Sequence, residues 1–167
     1  MNEVILSWGK CWIYVKKVAE EASKYIKFPV PVENSTQLNT TQGTKQEAKI
    51  EGGENEAVRY GRNTYALVSQ VRIAANRLKP LADSDGKISG MYEVIVSPED
   101  ASAIGIKIDS AVVSCVTSYT SQDGLIAEYT FDAVKPAKGD TVKLGTVTVT
   151  GEDTEGESVT FAEAAEE

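Results

Sequence analysis

Residues 63–73 read NTYALVSQVRI, and this stretch sets the class of the fold. Large apolar side chains recur on one side of an extended chain, at Tyr65, Leu67, Val71 and Ile73. Smaller or polar side chains alternate with them, at Ala66, Val68, Gln70 and Arg72. Because successive side chains of a strand point to opposite faces, this alternation predicts a β-strand with one buried face.

Similar segments lie at short intervals on both sides of this strand. They occupy residues 11–15, 26–30, 92–96, 106–108, 111–119, 125–134 and 141–150. Turn sequences separate several of them, and residues 120–124 are typical of a hairpin loop. Residues 16–27 combine helical and strand spacing, so a short helix or an irregular excursion is expected there. Many short strands predict a mainly β protein, an antiparallel β-sandwich or barrel.

One short flanking α-helix is predicted between two of these strands. Ser97 is a favoured N-cap residue, Pro98 suits the first helical position, and Glu99 and Asp100 supply acids to the first turn. Gly105 is typical of a helix end. The pattern therefore predicts a helix over residues 97–104.

Length and charge predict one domain with an acidic tail. A chain of 167 residues with a net charge of −8 can build one substantial core, which we assign to residues 1–150. Residues 151–167 carry no basic side chain and account for most of the net negative charge. We expect this tail to be flexible. An acidic surface repels phosphate, which argues against ordinary nucleic-acid binding.

The N-terminal residues and the cysteines indicate the cellular compartment in which the chain is synthesised. Residues 1–8 lack the basic region and long apolar run of a secretory signal, so synthesis in the cytoplasm is expected, with Cys11 and Cys115 as buried free thiols. No run approaches the roughly 18 apolar residues of a membrane span. No membrane association is predicted.

The absence of histidine argues against catalysis. The chain contains none, which removes Ser/His, Cys/His and histidine-based zinc sites. We therefore predict that the protein is not an enzyme and needs no cofactor.

Two motifs that resemble ligand sites fail on closer reading. Placing Gly86 at the glycine position of a calcium loop puts Leu81 and Tyr92 where chelating acids belong, so residues 83–86 are interpreted as a turn. Gly52 and Gly53 lie in a charged region that neither follows a strand nor opens a helix, so they do not predict a phosphate-binding loop. No metal site is predicted.

A long polar arm, residues 33–56, interrupts the strand pattern. Leu38 and Ile50 are its only large apolar side chains, so it cannot bury itself in a monomer core. Structureless loops longer than roughly 12–15 residues are uncommon in compact domains. Either the arm is a solvated loop, or its strands pair with another copy of the chain.

Alternating side chains make the arm a candidate for contacts between subunits. Thr36, Leu38 and Thr40 share one face of a first possible strand, and Lys45, Glu47, Lys49 and Glu51 share one face of a second. Charges of alternating sign suit reciprocal ion pairs with a neighbour. The predicted inter-subunit residues are Thr36, Leu38, Thr40, Lys45, Glu47, Lys49, Glu51, Glu54 and Arg59.

Five segments carry a family resemblance. The runs STQL at 35–38 and EGGE at 51–54, followed by NTYAL at 63–67, resemble the major tail tube proteins of long-tailed bacteriophages and prophages. The later runs YTFDAVKPA at 129–137 and VKLGTV at 142–147 are similar too. The resemblance covers about residues 30–149, in the pattern of residues and the order of elements. Type VI secretion tube proteins are similar too.

This resemblance implies a structural virion protein of the phage tail. In such proteins six copies close into a ring, rings stack into a tube, sheets of neighbouring copies join around the lumen, and long arms clasp the next subunit or ring. The implied partners are further copies, other tail proteins and a genome that passes without specific binding. Residues 33–56 would then be the clasping arm, and deleting residues 42–55 should abolish assembly. An immunoglobulin-like surface or adhesion module is the alternative.

Overall fold

The computed structural model describes residues 3–19, 24–153 and 156–164, and within them the chain is all-β with antiparallel pairing. The predicted mainly β architecture is thereby confirmed. The strands are β1 Trp12–Lys17, β2 Lys24–Lys27, β3 Gln37–Thr41, β4 Lys45–Lys49, β5 Asn55–Tyr60, β6 Thr64–Arg72, β7 Lys87–Ser97, β8 Gly105–Thr120, β9 Gly124–Ala133, β10 Val142–Asp153 and β11 Gly156–Glu163.

Six of these strands close into a small barrel. The hydrogen-bonded order is β10-β11-β2-β1-β7-β8, and β10 also pairs with β8. The closing contact joins Gly105 to Gly145 and Ile108 to Val142. Closure removes the free edges of all six strands over their paired lengths.

Two glycines allow the barrel to close. A Cβ atom on Gly145 would lie 2.1 Å from the carbonyl oxygen of Ala162, and one on Gly105 would lie 2.6 Å from that of Val96. Neither backbone can move away without breaking the strand pairing on its other side. Side chains at the two glycines that meet in the β8–β10 contact would therefore collide with the backbones of β11 and β7.

Replacing Gly145 by alanine should destabilise the fold by about 1–3 kcal/mol, the usual range for overpacking. The control is Thr148→Ala, an exposed position on the same strand, for which a change within about 0.5 kcal/mol is expected. Urea denaturation followed by circular dichroism measures both. An unchanged midpoint for Gly145→Ala would contradict the close approach of the Ala162 backbone to Gly145.

A three-stranded extension continues the sheet beyond the barrel. The far half of β8 pairs with β9, β9 pairs with β6, and β6 pairs with β3. The sheet folds back on itself, so side chains of the extension meet the outer face of β1 and β7. The main core lies between these layers. Its largest fully buried side chains include Tyr129, Phe28, Phe131, Ile13 and Leu67.

The barrel interior combines an apolar cluster with ion pairs. Tyr14, Tyr25, Ile95 and Val147 form the cluster. Beside it, the Lys107 ammonium lies 3.1 Å from Glu93, and the Lys143 ammonium lies 2.6 Å from Asp109. The hydrogen bond to Asp109 raises the pKa of Lys143. Burial, together with a 2.9 Å hydrogen bond donated to Glu93, raises the pKa of Tyr25.

The helix predicted over residues 97–104 is wrong. Ser97 is still part of β7 and is buried, and β8 begins at Gly105. Between them Asp100 makes a single turn: its carbonyl oxygen accepts the Ala103 N–H at 3.0 Å, and its carboxylate accepts the Ser102 N–H at 2.8 Å. Because Val96 pairs with Ile106, the segment is a hairpin connection, and it contains this single turn and no helix.

Two other expectations are corrected. The tail boundary at residue 150 falls inside β10, and Gly156–Glu163 forms strand β11 of the barrel where a flexible segment was predicted. The excursion predicted over residues 16–27 contains the end of β1 and the whole of β2, which pair with each other. Residues 20–23, 154–155 and 165–167 of these two segments lie outside the described residues.

Candidate assembly surface

The predicted arm is divided between the sheet and a separate hairpin. Its first part is β3, which pairs with β6 from Gln37 opposite Val68 to Thr41 opposite Thr64. Its second part, β4, pairs with β5, a strand that begins at Asn55 and continues past the predicted end of the arm. We call residues 44–61 the projecting hairpin. The boundary at residue 56 was wrong because it cut through β5.

The projecting hairpin is exposed over its whole length. Every residue from Thr44 to Thr64 is exposed. Its exposed apolar side chains are Ile50, Val58 and Tyr60, with exposed fractions of 47%, 46% and 53%. An isolated two-stranded hairpin is marginally stable in water at best. This hairpin would therefore gain stability from a partner surface.

A narrow neck joins the hairpin to the sheet. The Gly61 N–H donates to the Thr44 carbonyl oxygen at 2.8 Å, and the Gly43 N–H donates to Oδ1 of Asn63 at 3.0 Å. A Cβ atom on Gly43 would lie 2.1 Å from the Gly61 carbonyl oxygen. The two backbones therefore run side by side without an intervening side chain.

Two of the predicted inter-subunit residues are used within the chain. The Thr36 hydroxyl lies 2.9 Å from the hydroxyl of Ser69, which is fully buried, and Leu38 packs against the main core. Thr40 is exposed on β3. The alternation predicted for this strand is real, but it directs Leu38 into the protein's own core.

The charged residues of β4 form ion pairs with one another. The Lys45 ammonium lies 2.7 Å from one Glu47 oxygen, and the Lys49 ammonium lies 3.7 Å from the other. Lys45 lowers the pKa of Glu47, chiefly through its hydrogen bond. Such exposed pairs contribute little to stability. The shared face predicted for Lys45, Glu47 and Lys49 is confirmed, although each cation already has an acid within its own strand.

The remaining predicted residues lie at the tip and on the opposite face. Arg59 donates a hydrogen bond to Gln46, its cross-strand partner. Glu51 and Glu54 flank a tight turn in which the Ile50 N–H donates to the Glu54 carbonyl oxygen at 3.0 Å. The structure therefore brings six of the nine predicted residues together in one hairpin, from Lys45 to Arg59.

A free strand edge escaped the sequence analysis. The extension sheet ends at β3 on one side and at the first half of β7 on the other. The first half of β7 is an edge because β1 pairs only with the second half of β7, residues 92–97. Within the described residues, no strand pairs with the outer side of residues 88–90. Edge status depends on pairing partners distant in the chain, so no local signal could have revealed it.

An apolar N-terminal strip was also missed. Val4, Leu6 and Trp8 are 79%, 52% and 75% exposed. The Ser7 hydroxyl donates to the Ile104 carbonyl oxygen at 2.5 Å, and the Lys10 N–H donates to Glu99 at 3.1 Å. The strip thus lies along the loop between β7 and β8. A run of apolar residues outside any strand pattern was the available signal.

The described residues contain neither a cluster of His, Cys, Asp and Glu placed to hold a metal ion nor a helix long and apolar enough to cross a membrane. The sequence matches no protein-family model and no curated protein.

Proposed function

We propose that this protein is a structural, self-assembling component of a phage tail, whose copies join into rings, six to a ring as the family resemblance implies, that stack into a tube for DNA passage. The observation that carries this proposal is the projecting hairpin. It exposes Ile50, Val58 and Tyr60 on a two-stranded element that buries none of its side chains in its own chain. A second copy of the protein supplies the missing partner.

The free edges support the joining of copies around a ring. β3 and the first half of β7 lie on opposite edges of one sheet, so the β3 edge of one copy can pair with the β7 edge of the next. Such a head-to-tail contact closes into a ring when the rotation between copies is suitable. Closure then leaves no edge open to unlimited aggregation.

The outer face of the extension sheet suits passage of DNA. By strand register, this face carries two basic side chains, Arg72 and Lys87, and two acidic ones, Glu128 and Asp132, so its charges balance. The remaining positions on this face are largely small or polar. Because affinity for DNA rises with the number of phosphates neutralised by Lys and Arg, a surface of this kind would retain DNA weakly.

Sizing of the protein at several concentrations, followed by negative-stain microscopy, tests the proposal. Rings or tubes whose population grows with protein concentration are expected. A strict monomer at every concentration would overturn the proposal. It would favour the immunoglobulin-like binding module, particularly if the monomer bound a protein or carbohydrate ligand.

A disulfide ladder should report the edge contact. Asn39 on β3 and Ser89 on β7 are both exposed, and each lies on one of the two free edges. When both are cysteine, oxidation of assembled protein should give a series of cross-linked species beyond the dimer on a non-reducing gel. The largest species then counts the copies in a ring.

All of these variants are made in a background without Cys11 and Cys115, the two free cysteines of the chain. The single variants Asn39→Cys and Ser89→Cys then serve as controls, since one cysteine per chain can cross-link two copies at most. If the double variant assembles but gives no cross-linked species larger than a dimer, the β3 edge of one copy does not meet the β7 edge of the next copy around a ring. Moving the β7 cysteine to Lys87 or Met91 distinguishes a shifted register from the absence of the contact.

A further inference from the structure

The far end of β8 has a partner strand on only one of its two sides. Residues 116–120 pair with β9 along one side. On the other side, β7 begins only at Lys87, which lies opposite Ser114. Within the described residues, no strand pairs with that side of residues 116–120. We call residues 116–120 the β8 edge.

The backbone of the β8 edge directs hydrogen-bonding groups to this open side. The Cys115 N–H donates to the Gly86 carbonyl oxygen at 3.0 Å, on the side away from β9. Because the backbone groups of successive residues in an antiparallel strand point to alternate sides, Thr117 and Tyr119 direct their N–H and C=O groups the same way. Both residues are exposed. The β8 edge can therefore accept a further strand through its backbone.

The β8 edge lacks the features that usually protect a strand from another chain. Exposed edges commonly carry charged side chains or proline, whereas residues 116–120 are Val-Thr-Ser-Tyr-Thr. The Lys79 ammonium, which contacts this edge at a threonine hydroxyl, is paired with Asp83 at 2.8 Å. Val116 is 60% exposed on one face of the edge, and Tyr119 is 71% exposed on the other. An uncharged, apolar segment fits such an edge.

The N-terminal strip is a segment of this character. Residues 4–8 are Val-Ile-Leu-Ser-Trp, and all of them are exposed. They belong to no strand, and within the described residues they make no backbone–backbone hydrogen bond. Val4, Leu6 and Trp8 alternate with Ile5, so the segment would bring apolar side chains to both faces of a sheet that it joined.

We infer that residues 4–8 of one copy add as a strand to the β8 edge of a second copy. This inference rests on the proposed function and adds a contact to those of the hairpin and of the β3 and β7 edges. The added strand would supply hydrogen-bond partners to Thr117 and Tyr119 and cover apolar side chains of both copies.

The positions of the strip and the edge require two copies. Ser7 holds the strip to the Ile104 carbonyl oxygen, just before β8 begins. Val116 lies twelve residues further along, roughly 40 Å at the usual rise of a strand. Residues 4–7 span no more than about 14 Å, so an anchored strip cannot reach the edge of its own copy. Strip and edge lie at opposite ends of β8, and the contact therefore repeats head-to-tail from copy to copy.

Variants on either side of the contact should weaken assembly. I5P/L6P removes two adjacent backbone donors from the strip, one of which faces the edge in any strand pairing. V116K places a charge at the edge. V112K is the matched control, because Val112 is exposed on the same face of β8 but lies between β7 and β9.

Sedimentation velocity measures the protein concentration that each variant needs for assembly. I5P/L6P and V116K should each raise it by about tenfold, the effect of losing one or two backbone hydrogen bonds. V112K should leave it unchanged. All three variants replace exposed side chains, so their circular dichroism below the assembly concentration should match that of the wild-type protein.

Hydrogen exchange, followed by mass spectrometry, gives a local readout at both sites. Assembly of the wild-type protein should slow exchange in residues 4–8 and 116–120 by about tenfold or more, because amides there become hydrogen-bonded. The two sites should respond reciprocally at concentrations where the variants still assemble. I5P/L6P should lose the protection of the β8 edge, V116K should lose that of the strip, and V112K should keep both.

The outcomes separate this contact from the proposed function. If the wild-type protein assembles and the β8 edge stays unprotected, or if assembled I5P/L6P protects it equally well, the strip does not bind there. The inference then fails and the proposed function stands. The same conclusion follows if I5P/L6P and V116K both assemble as readily as the wild-type protein. A wild-type protein that never assembles overturns both.

Discussion

Excision of the hairpin strands should abolish assembly while leaving the rest of the protein folded. The variant lacks Lys45–Tyr60 and joins Thr44 to Gly61 through an Asn-Gly turn, which suits a two-residue hairpin loop. The hydrogen bond between Gly61 N–H and the Thr44 carbonyl oxygen already holds these ends together. Because every removed side chain is exposed, the free energy of unfolding should change by less than about 1 kcal/mol.

Sizing and negative-stain microscopy measure the loss of rings, and thermal denaturation checks the fold. The structure favours this excision over removal of residues 42–55, because β5 begins at Asn55 and the shorter deletion would leave it unpaired. V58T/Y60T is the companion variant, since it keeps the hairpin and removes two of its exposed apolar side chains. Rings that form normally after the full excision would sink the proposed role of the hairpin.

Phe28→Ala should be among the most destabilising single substitutions, at about 3–5 kcal/mol. Phe28 is 1% exposed and lies in the segment after β2. Its ring meets Tyr129 edge-on at 5.2 Å between centroids and Phe131 at 6.0 Å. Truncation leaves a cavity between the two layers of the main core, which these aromatic rings cannot fill without losing their other contacts.

Chemical denaturation measures this change, with Tyr119→Ala as the control. Tyr119 is 71% exposed, so its truncation should cost less than about 0.5 kcal/mol. If Phe28→Ala and Tyr119→Ala had similar midpoints, the packing of the post-β2 segment between the layers would be wrong. The Phe28 variant also serves to show whether assembly can stabilise a weakened copy through binding.

Local patterns predicted the strands well wherever one face is buried. Residues 63–73 contain β6, and the buried positions Leu67 and Val71 lie on the face that the alternation indicates. The turn at residues 83–86 is also confirmed, with Asp85 and Gly86 at positive φ between the bridged residues Ser84 and Lys87. In both cases the information lies within a few residues of the chain.

Patterns failed where distant parts of the chain compete for a segment. The sequence from Ser97 to Asp100 has the features of a helix start, but pairing of β7 with β8 keeps Ser97 in a strand, and a single turn forms in the connection. Similarly, the alternation of Thr36, Leu38 and Thr40 cannot say whether the buried face meets another copy or the protein's own core. The structure places Leu38 in the core.

The candidate surface was predicted in part. Polarity marked residues 33–56 as unable to form a core, and Lys45, Glu47, Lys49, Glu51, Glu54 and Arg59 do lie in one exposed hairpin. Their grouping follows from the short spacing between β4 and β5. The contact of Lys27 with the Trp12 ring could not be foreseen, since the pairing of β1 with β2 brings these two residues together.

Alternation of apolar and polar residues was thus sufficient to establish a mainly β protein, its principal strands and a polar segment excluded from the core, because each depends on neighbours within one strand or turn. Barrel closure through Gly105 and Gly145, the free edges at β3 and β7, and the division of the arm at Gly43 depended on the three-dimensional arrangement. Closure and the division of the arm are contacts between backbones far apart in sequence, and an edge is free where no such contact is made. Whether a strand is central, terminal or projecting therefore depends on which partner it meets in space.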